Sequence, residues 1–231
     1  MPLPTHTSRD FETELRELRA HALAMGARCE RSVGLALEAF YAGSRDLALQ
    51  VEALDDQIDR DEMDIDALVL RILALRQPVA YDLRFLAAAL KLVTDLERIG
   101  DEAVNIAERS IEDHGDAKEI VLQEIKGMGL SAQEMLREAL TAFVDGDVER
   151  AEKVLEKDDE VDRTYGAIMR AMSTYMATHS QDVPAGLRVV KVAKYLERIA
   201  DHATNVAEEV IFMVRGEDIR HHRGHTTLQN E

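Results

Sequence analysis

Carboxylates spaced four residues apart, and written twice, are the residues in this sequence that could do chemistry. The stretch LERIGDEAVNIAE at 96–108 returns as LERIADHATNVAE at 196–208, with nine of thirteen positions identical. Glu97, Asp101, Asn105 and Glu108 therefore recur as Glu197, Asp201, Asn205 and Glu208. On a helix, Asp101, Asn105 and Glu108 fall roughly 40°, 80° and 20° from Glu97, while Leu96, Ile99, Ala103, Ile106 and Ala107 span roughly 180–280°. The acidic groups thus form one stripe apart from the core face. Each half carries a second stripe, Asp55 with Asp59 and Asp158 with Asp162.

Like charges at this spacing cost a helix roughly 0.2–0.5 kcal/mol per pair. A single such stripe is usually a solvated face. Two stripes on adjacent antiparallel helices can face each other, and four carboxylates in one groove repel unless a cation stands among them. Oxygen-only ligation suits hard ions such as Mg²⁺, Mn²⁺, Ca²⁺ or iron. Cys and His pairs at zinc spacing are absent. A di-iron bundle of the Glu-x-x-His type is disfavoured, because Gly100 and Ala200 stand where the histidines belong. His202 falls roughly 140° from the stripe and is expected at the surface. There is no Gly-rich phosphate loop and no nucleophile elbow, so no catalytic set is expected.

Long helices must position these groups. Ala, Leu, Glu and Arg dominate, with only 4 Pro and 12 Gly in 231 residues, so the fold class is all-α. A first helix is expected from about Ser8 to Tyr41, on the apolar rhythm of Phe11, Leu15, Leu18, Ala22, Met25 and Cys29. Cys29 and most methionines follow that kind of rhythm and belong to the core. Gly43 ends the helix and Ser44 caps the next, from about Asp46 to Arg76. Pro78 precedes a third, from about Ala80 to Glu112, and the polar DHGD at 113–116 closes the first half. The Ala-Phe-x-x-Gly of 39–43 returns at 142–146, and Asp-Asp-x-x-Asp of 55–59 at 158–162. Six long helices in two copies of a three-helix unit follow, with a shared interface expected between them. The expected units are residues 1–113, 114–215 and a polar tail 216–231. His221, His222 and His225 in that tail could catch a transition metal, but a polar terminus is the plainer reading.

The formal net charge of −17 argues against a nucleic-acid partner and suits cations or a basic protein surface. One cysteine excludes a disulfide within the chain. No apolar h-region opens the sequence, and no apolar run approaches the roughly 18 residues of a membrane span. A soluble, cytoplasmic protein without membrane insertion is expected.

The duplicated Glu-Arg-Ile-(Gly/Ala)-Asp segments resemble the PhoU family of phosphate-signalling regulators, from the first helix to about Arg215. The resemblance implies two tandem pseudo-symmetric three-helix bundles. It implies multinuclear metal clusters on Glu97-x-x-x-Asp101 and Glu197-x-x-x-Asp201, supported by Asp55-x-x-x-Asp59 and Asp158-x-x-x-Asp162. Asn105, Glu108, Asn205 and Glu208 would be additional or supporting ligands. Fe, Mn, Mg, Zn and Ni are the candidate ions. Glu102 stands where the second copy has His202, so the two sites need not prefer the same ion. For function the resemblance implies regulation, not catalysis. Such a protein sits between the ATP-binding subunit of the Pst phosphate transporter and a PhoR-like sensor histidine kinase, meeting the membrane only through them. It holds the phosphate-starvation response off when phosphate is plentiful, and a homodimer is among the expected assemblies. Two rivals stay open: an all-α Mg-dependent nucleotide pyrophosphatase, and a metal-free helical scaffold. The first needs a basic or polar site for base and phosphates, and no such cluster is visible in the sequence.

Overall fold

The structure is a computed structural model and describes residues 9–219. Seven α-helices and one 3₁₀ turn make up the described residues. They are α1 (Arg9–Ala42), α2 (Arg45–Arg76), α3 (Ala80–Ser110), α4 (Ala117–Ile120), α5 (Leu122–Asp145), α6 (Val148–Thr178) and α7 (Val183–Arg215), with Ser180–Asp182 as the 3₁₀ turn. The six long helices match the sequence expectation. α4 is an addition, a single turn in the connection between the halves, too short to show periodicity. The tail histidines His221, His222 and His225 lie outside the described residues.

The turns that fold each half are built alike. Gly43 and Gly146 take left-handed φ values of 62° and 64°, which cost a side-chain-bearing residue more than glycine. The next residue caps the following helix in each case. Ser44 Oγ accepts the Leu47 N–H at 3.4 Å and Asp147 Oδ1 accepts the Arg150 N–H at 3.1 Å. Such short connections make the flanking helices antiparallel neighbours. At the other end the halves differ: Gln77 and Ala80 adopt φ of 47° and 49° around Pro78, whereas the 3₁₀ turn leads into Pro184 in the first turn of α7.

α1, α2 and α3 pack on one another, as do α5, α6 and α7, while α3 runs along α7 and α1 against α5. One hydrophobic cluster passes through both halves, from Leu15, Leu18, Ile65 and Leu92 to Ile125, Leu136, Ile168 and Val206. Cys29 lies inside it, fully buried, its thiol donating to the Leu96 carbonyl at 3.3 Å. Burial pushes that thiol far up and keeps it protonated. No described helix is long and apolar enough to cross a membrane.

The crossing of α1 with α5 is reciprocal. A Cβ on Gly26 would stand 2.5 Å from Leu140 Cδ1, and one on Gly129 would stand 2.7 Å from Leu37 Cδ1. Gly26 and Gly129 are 103 positions apart, as are Leu37 and Leu140. Exchanging the halves therefore maps one contact onto the other, which is the signature of a two-fold relation.

Candidate metal centres

The α2–α3 hairpin brings Asp55, Asp59 and Glu62 of α2 to face Glu97 and Asp101 of α3. Close approach of the helices is possible because α3 has no side chain at Gly100. A Cβ there would stand 2.8 Å from Asp55 Oδ1 and 3.2 Å from Ile58 Cδ1. The carboxylates feel one another across the groove. Burial first, then Asp59, Asp101 and Glu97, pushes the Asp55 carboxyl up to about 6. Glu97 is raised by burial and by Asp101, against the opposing charge of Arg98. Glu62 is raised by burial, Asp66 and Asp59. Arg98 sits on the rim, 3.4 Å from Glu97 Oε2 and 3.6 Å from Asp101 Oδ2.

The α6–α7 hairpin repeats the arrangement with Asp158, Asp162, Glu197 and Asp201. Asp201 is pushed up to about 6 by burial, Glu197 and Asp158, and Asp162 rises through burial and Glu197. Here Lys194 hydrogen-bonds Glu197 and lowers both Asp162 and Asp201.

The eight carboxylates of the paired motifs thus fall into two grooves, one per half. Their donors are all oxygen, and in the first groove Gly100 leaves room for Asp55, so the residues are of the type a hard cation takes. Among the described residues no three His, Cys, Asp or Glu side chains already surround one point. A cation would draw the carboxylates inward from where they stand.

Asn105, Glu108, Asn205 and Glu208 take other places. The Asn105 amide donates to Glu102 Oε2 at 3.3 Å and the Asn205 amide to Asp95 Oδ1 at 3.0 Å. Glu108 is exposed, with Arg109 Nη2 at 3.9 Å, and Glu208 is buried. The two asparagines serve a polar seam where α3 meets α7. There Arg198 pairs with buried Glu102 at 2.8 Å, Lys91 pairs with Glu209 at 2.8 Å, and His202 Nδ1 stands 2.9 Å from Asp95 Oδ1. His202 is thus a half-buried seam residue rather than the free surface group that the helical wheel suggests. Glu102 and His202 both belong to this seam, so their difference does not distinguish the grooves.

A model of the PhoU domain matches this chain twice, over residues 22–110 and 125–210. The chain belongs to the PhoU family. Each match falls on one half, the first within α1–α3 and the second within α5–α7. The chain is similar to the phosphate-specific transport system accessory protein PhoU homolog of Pseudomonas aeruginosa, with 42% identity over 95% of this chain and 91% of that one. The crystal structure of PhoU from Pseudomonas aeruginosa superposes with a TM-score of 0.86, covering 90% of this chain and 100% of that one, at 42% identity. The phosphate transport system regulatory protein PhoU from Streptococcus pneumoniae gives 0.83 at 27% identity, covering 90% and 98%. The PhoU relatives are named as accessory or regulatory proteins and not as enzymes.

Sequence reasoning missed two groove residues. Glu62 lies seven positions after Asp55, on the same helix face, but its counterpart in the second half is Tyr165, so comparing the halves conceals it. Lys194 is concealed in the same way, since the first half has Thr94 at that place.

Proposed function

We propose that this PhoU-family chain regulates phosphate uptake and phosphate-starvation signalling as an accessory protein of a phosphate-specific transporter. The observation that carries this is similarity over nearly the whole chain, at 42% identity, to a protein named for that role. In the finer reading it is an adaptor that touches the transporter's ATP-binding subunit and a sensor histidine kinase, and represses the response when phosphate is plentiful. The surface suits such a role, since a net charge of −17 favours docking on basic protein faces. The adaptor works at the cytoplasmic side of the membrane, held there by its partners.

The same reading includes cations in the two grooves, held by Asp55, Asp59, Glu97 and Asp101 in one half and by Asp158, Asp162, Glu197 and Asp201 in the other. Such an ion would neutralise carboxylates that otherwise repel, and so fix each hairpin's surface for a partner. An all-oxygen donor set favours Mg²⁺, Mn²⁺ or iron over Zn²⁺ and Ni²⁺.

Deleting the gene tests the regulatory reading. Phosphate-starvation outputs, alkaline phosphatase among them, should switch on while phosphate is abundant, and restoring the gene should silence them. Outputs that stay repressed in the deletion strain, with any paralogue also removed, would overturn it.

A further inference from the structure

Resting on the reading that the grooves take cations, we propose that the two are unequal. The α2–α3 groove takes a hard divalent cation first, and in the α6–α7 groove the Lys194 ammonium already holds the place a second cation needs.

Three pairs of equivalent positions carry this. Thr94 corresponds to Lys194, Glu62 to Tyr165, and Gly100 to Ala200. In the first groove these residues add a fifth carboxylate and let Asp55 approach the helix surface closely. In the second they remove that carboxylate and introduce a resident cation. Lys194 hydrogen-bonds Glu197, whose side chain is only 13% exposed, and its charge also reaches Asp162 and Asp201. Its ammonium stands 5.5 Å from the centre of the Tyr165 ring, a cation–π contact that steadies it in the groove. Ala200 is fully buried, and its methyl group stands where Gly100 in the other half lets Asp55 Oδ1 and Ile58 Cδ1 approach the helix.

The first groove has a cation nearby too, in looser contact with its carboxylates. Arg98 and Lys194 are similarly exposed, 54% and 45%, but Arg98 approaches Glu97 and Asp101 only at 3.4 and 3.6 Å, whereas Lys194 hydrogen-bonds Glu197. It can swing into water at little cost. Its counterpart Arg198 turns away to Glu102 in the seam, 2.8 Å from Oε1. A metal ion entering the second groove must therefore break the Lys194–Glu197 bond and bear the repulsion of the displaced ammonium. Entry to the first groove needs no such exchange.

The test is calorimetric titration of the chelator-stripped full chain with Mn²⁺, with bound metal counted independently by elemental analysis. The parent should show a tight phase that Asp101→Asn abolishes and Asp201→Asn leaves in place. Lys194→Thr should tighten the weaker phase by roughly tenfold or more, as removal of one opposing charge at close range predicts. Lys194→Gln, which keeps the length and loses the charge, should act in the same direction. Thr94→Lys should weaken the tight phase. Thermal melting in chelator confirms that each variant is folded. Equal affinities in the parent, a tight phase lost in Asp201→Asn instead, or a weaker phase indifferent to both Lys194 variants would overturn the inequality alone. Absence of Mn²⁺ binding in the parent and in every variant would remove the cation reading beneath it as well.

Discussion

Gly26 and Leu140 meet so closely that a methyl group on the glycine would lie 2.5 Å from Leu140 Cδ1, and the halves exchange roles in the matching contact of Gly129 with Leu37. The α1–α5 crossing is therefore set by missing side chains. Gly127, two residues from Gly129 on the same helix, is exposed and has nothing within 4 Å of its would-be Cβ. Gly127→Ala should stabilise by up to about 1 kcal/mol through helix propensity. Gly129→Ala gains the same propensity but crowds a buried leucine, and should destabilise by about 1–2 kcal/mol. Urea denaturation of both variants decides. If the two respond alike, the crossing is not held by close approach.

The seam gives an asymmetric pair of substitutions. Glu102 is 2% exposed and burial raises its carboxyl, which the Arg198 charge counteracts. Arg198→Met would leave a buried carboxylate without its cation, and should cost about 2–4 kcal/mol at neutral pH. Glu102→Gln would leave the half-exposed guanidinium in contact with water and should cost less, about 1 kcal/mol. Denaturant midpoints at pH 7.5 test the order. A larger loss for Glu102→Gln would mean that Arg198 contributes little and that the glutamate acts through Asn105 instead.

Asp55 supplies a pH signature. Its carboxyl is pushed up to about 6 from an ordinary 3.8. A raised folded-state pKa contributes stability that is fully present below the ordinary value and is lost as pH rises through about 6. In chelator, Asp55→Asn should therefore be more stable than the parent at pH 7.5. The group is partly exposed, so the difference should be only about 1 kcal/mol. It should vanish as pH falls towards about 4, where the parent aspartate is protonated too. An advantage independent of pH would mean that the side chain acts through packing and not through charge.

Local signals were readable from residue order, and tertiary choices were not. Gly43 with Ser44 announced a helix end and a cap, and the repeat of Ala-Phe-x-x-Gly at 142–146 coincides with the same left-handed turn at Gly146. Asp55 with Asp59 and Glu97 with Asp101 could be paired from spacing and repetition, because four residues is close to one helical turn, and the structure brings the two pairs to one groove. His202 was misplaced for the opposite reason. A wheel drawn for one helix says which residues share a face, but not that α7 lies along α3 with Asp95 waiting at 2.9 Å. Glu62 and Lys194 were hidden because comparing two halves reveals what they share and conceals what differs.

Gly100 makes the last prediction. Replacing it with alanine puts a methyl 2.8 Å from Asp55 Oδ1 and 3.2 Å from Ile58 Cδ1. Ile58 is fully buried while Asp55 is only partly so, and the carboxylate should be the group that yields, swinging towards water. The helix gains about 1 kcal/mol of propensity, which offsets part of the crowding, so stability in chelator should change by less than about 1 kcal/mol. Two other properties should move further. The pH-dependent gap that separates the parent from Asp55→Asn should shrink, because a solvated Asp55 titrates closer to its ordinary value. Mn²⁺ at about one hundred times its dissociation constant should stabilise a one-site protein by roughly 2.7 kcal/mol, and Gly100→Ala should lose part of that gain. Melting curves with Mn²⁺ and with chelator measure both. A variant that keeps the full Mn²⁺ shift and the full pH gap would show that the opening at Gly100 serves helix packing, with no part in holding Asp55 in the groove.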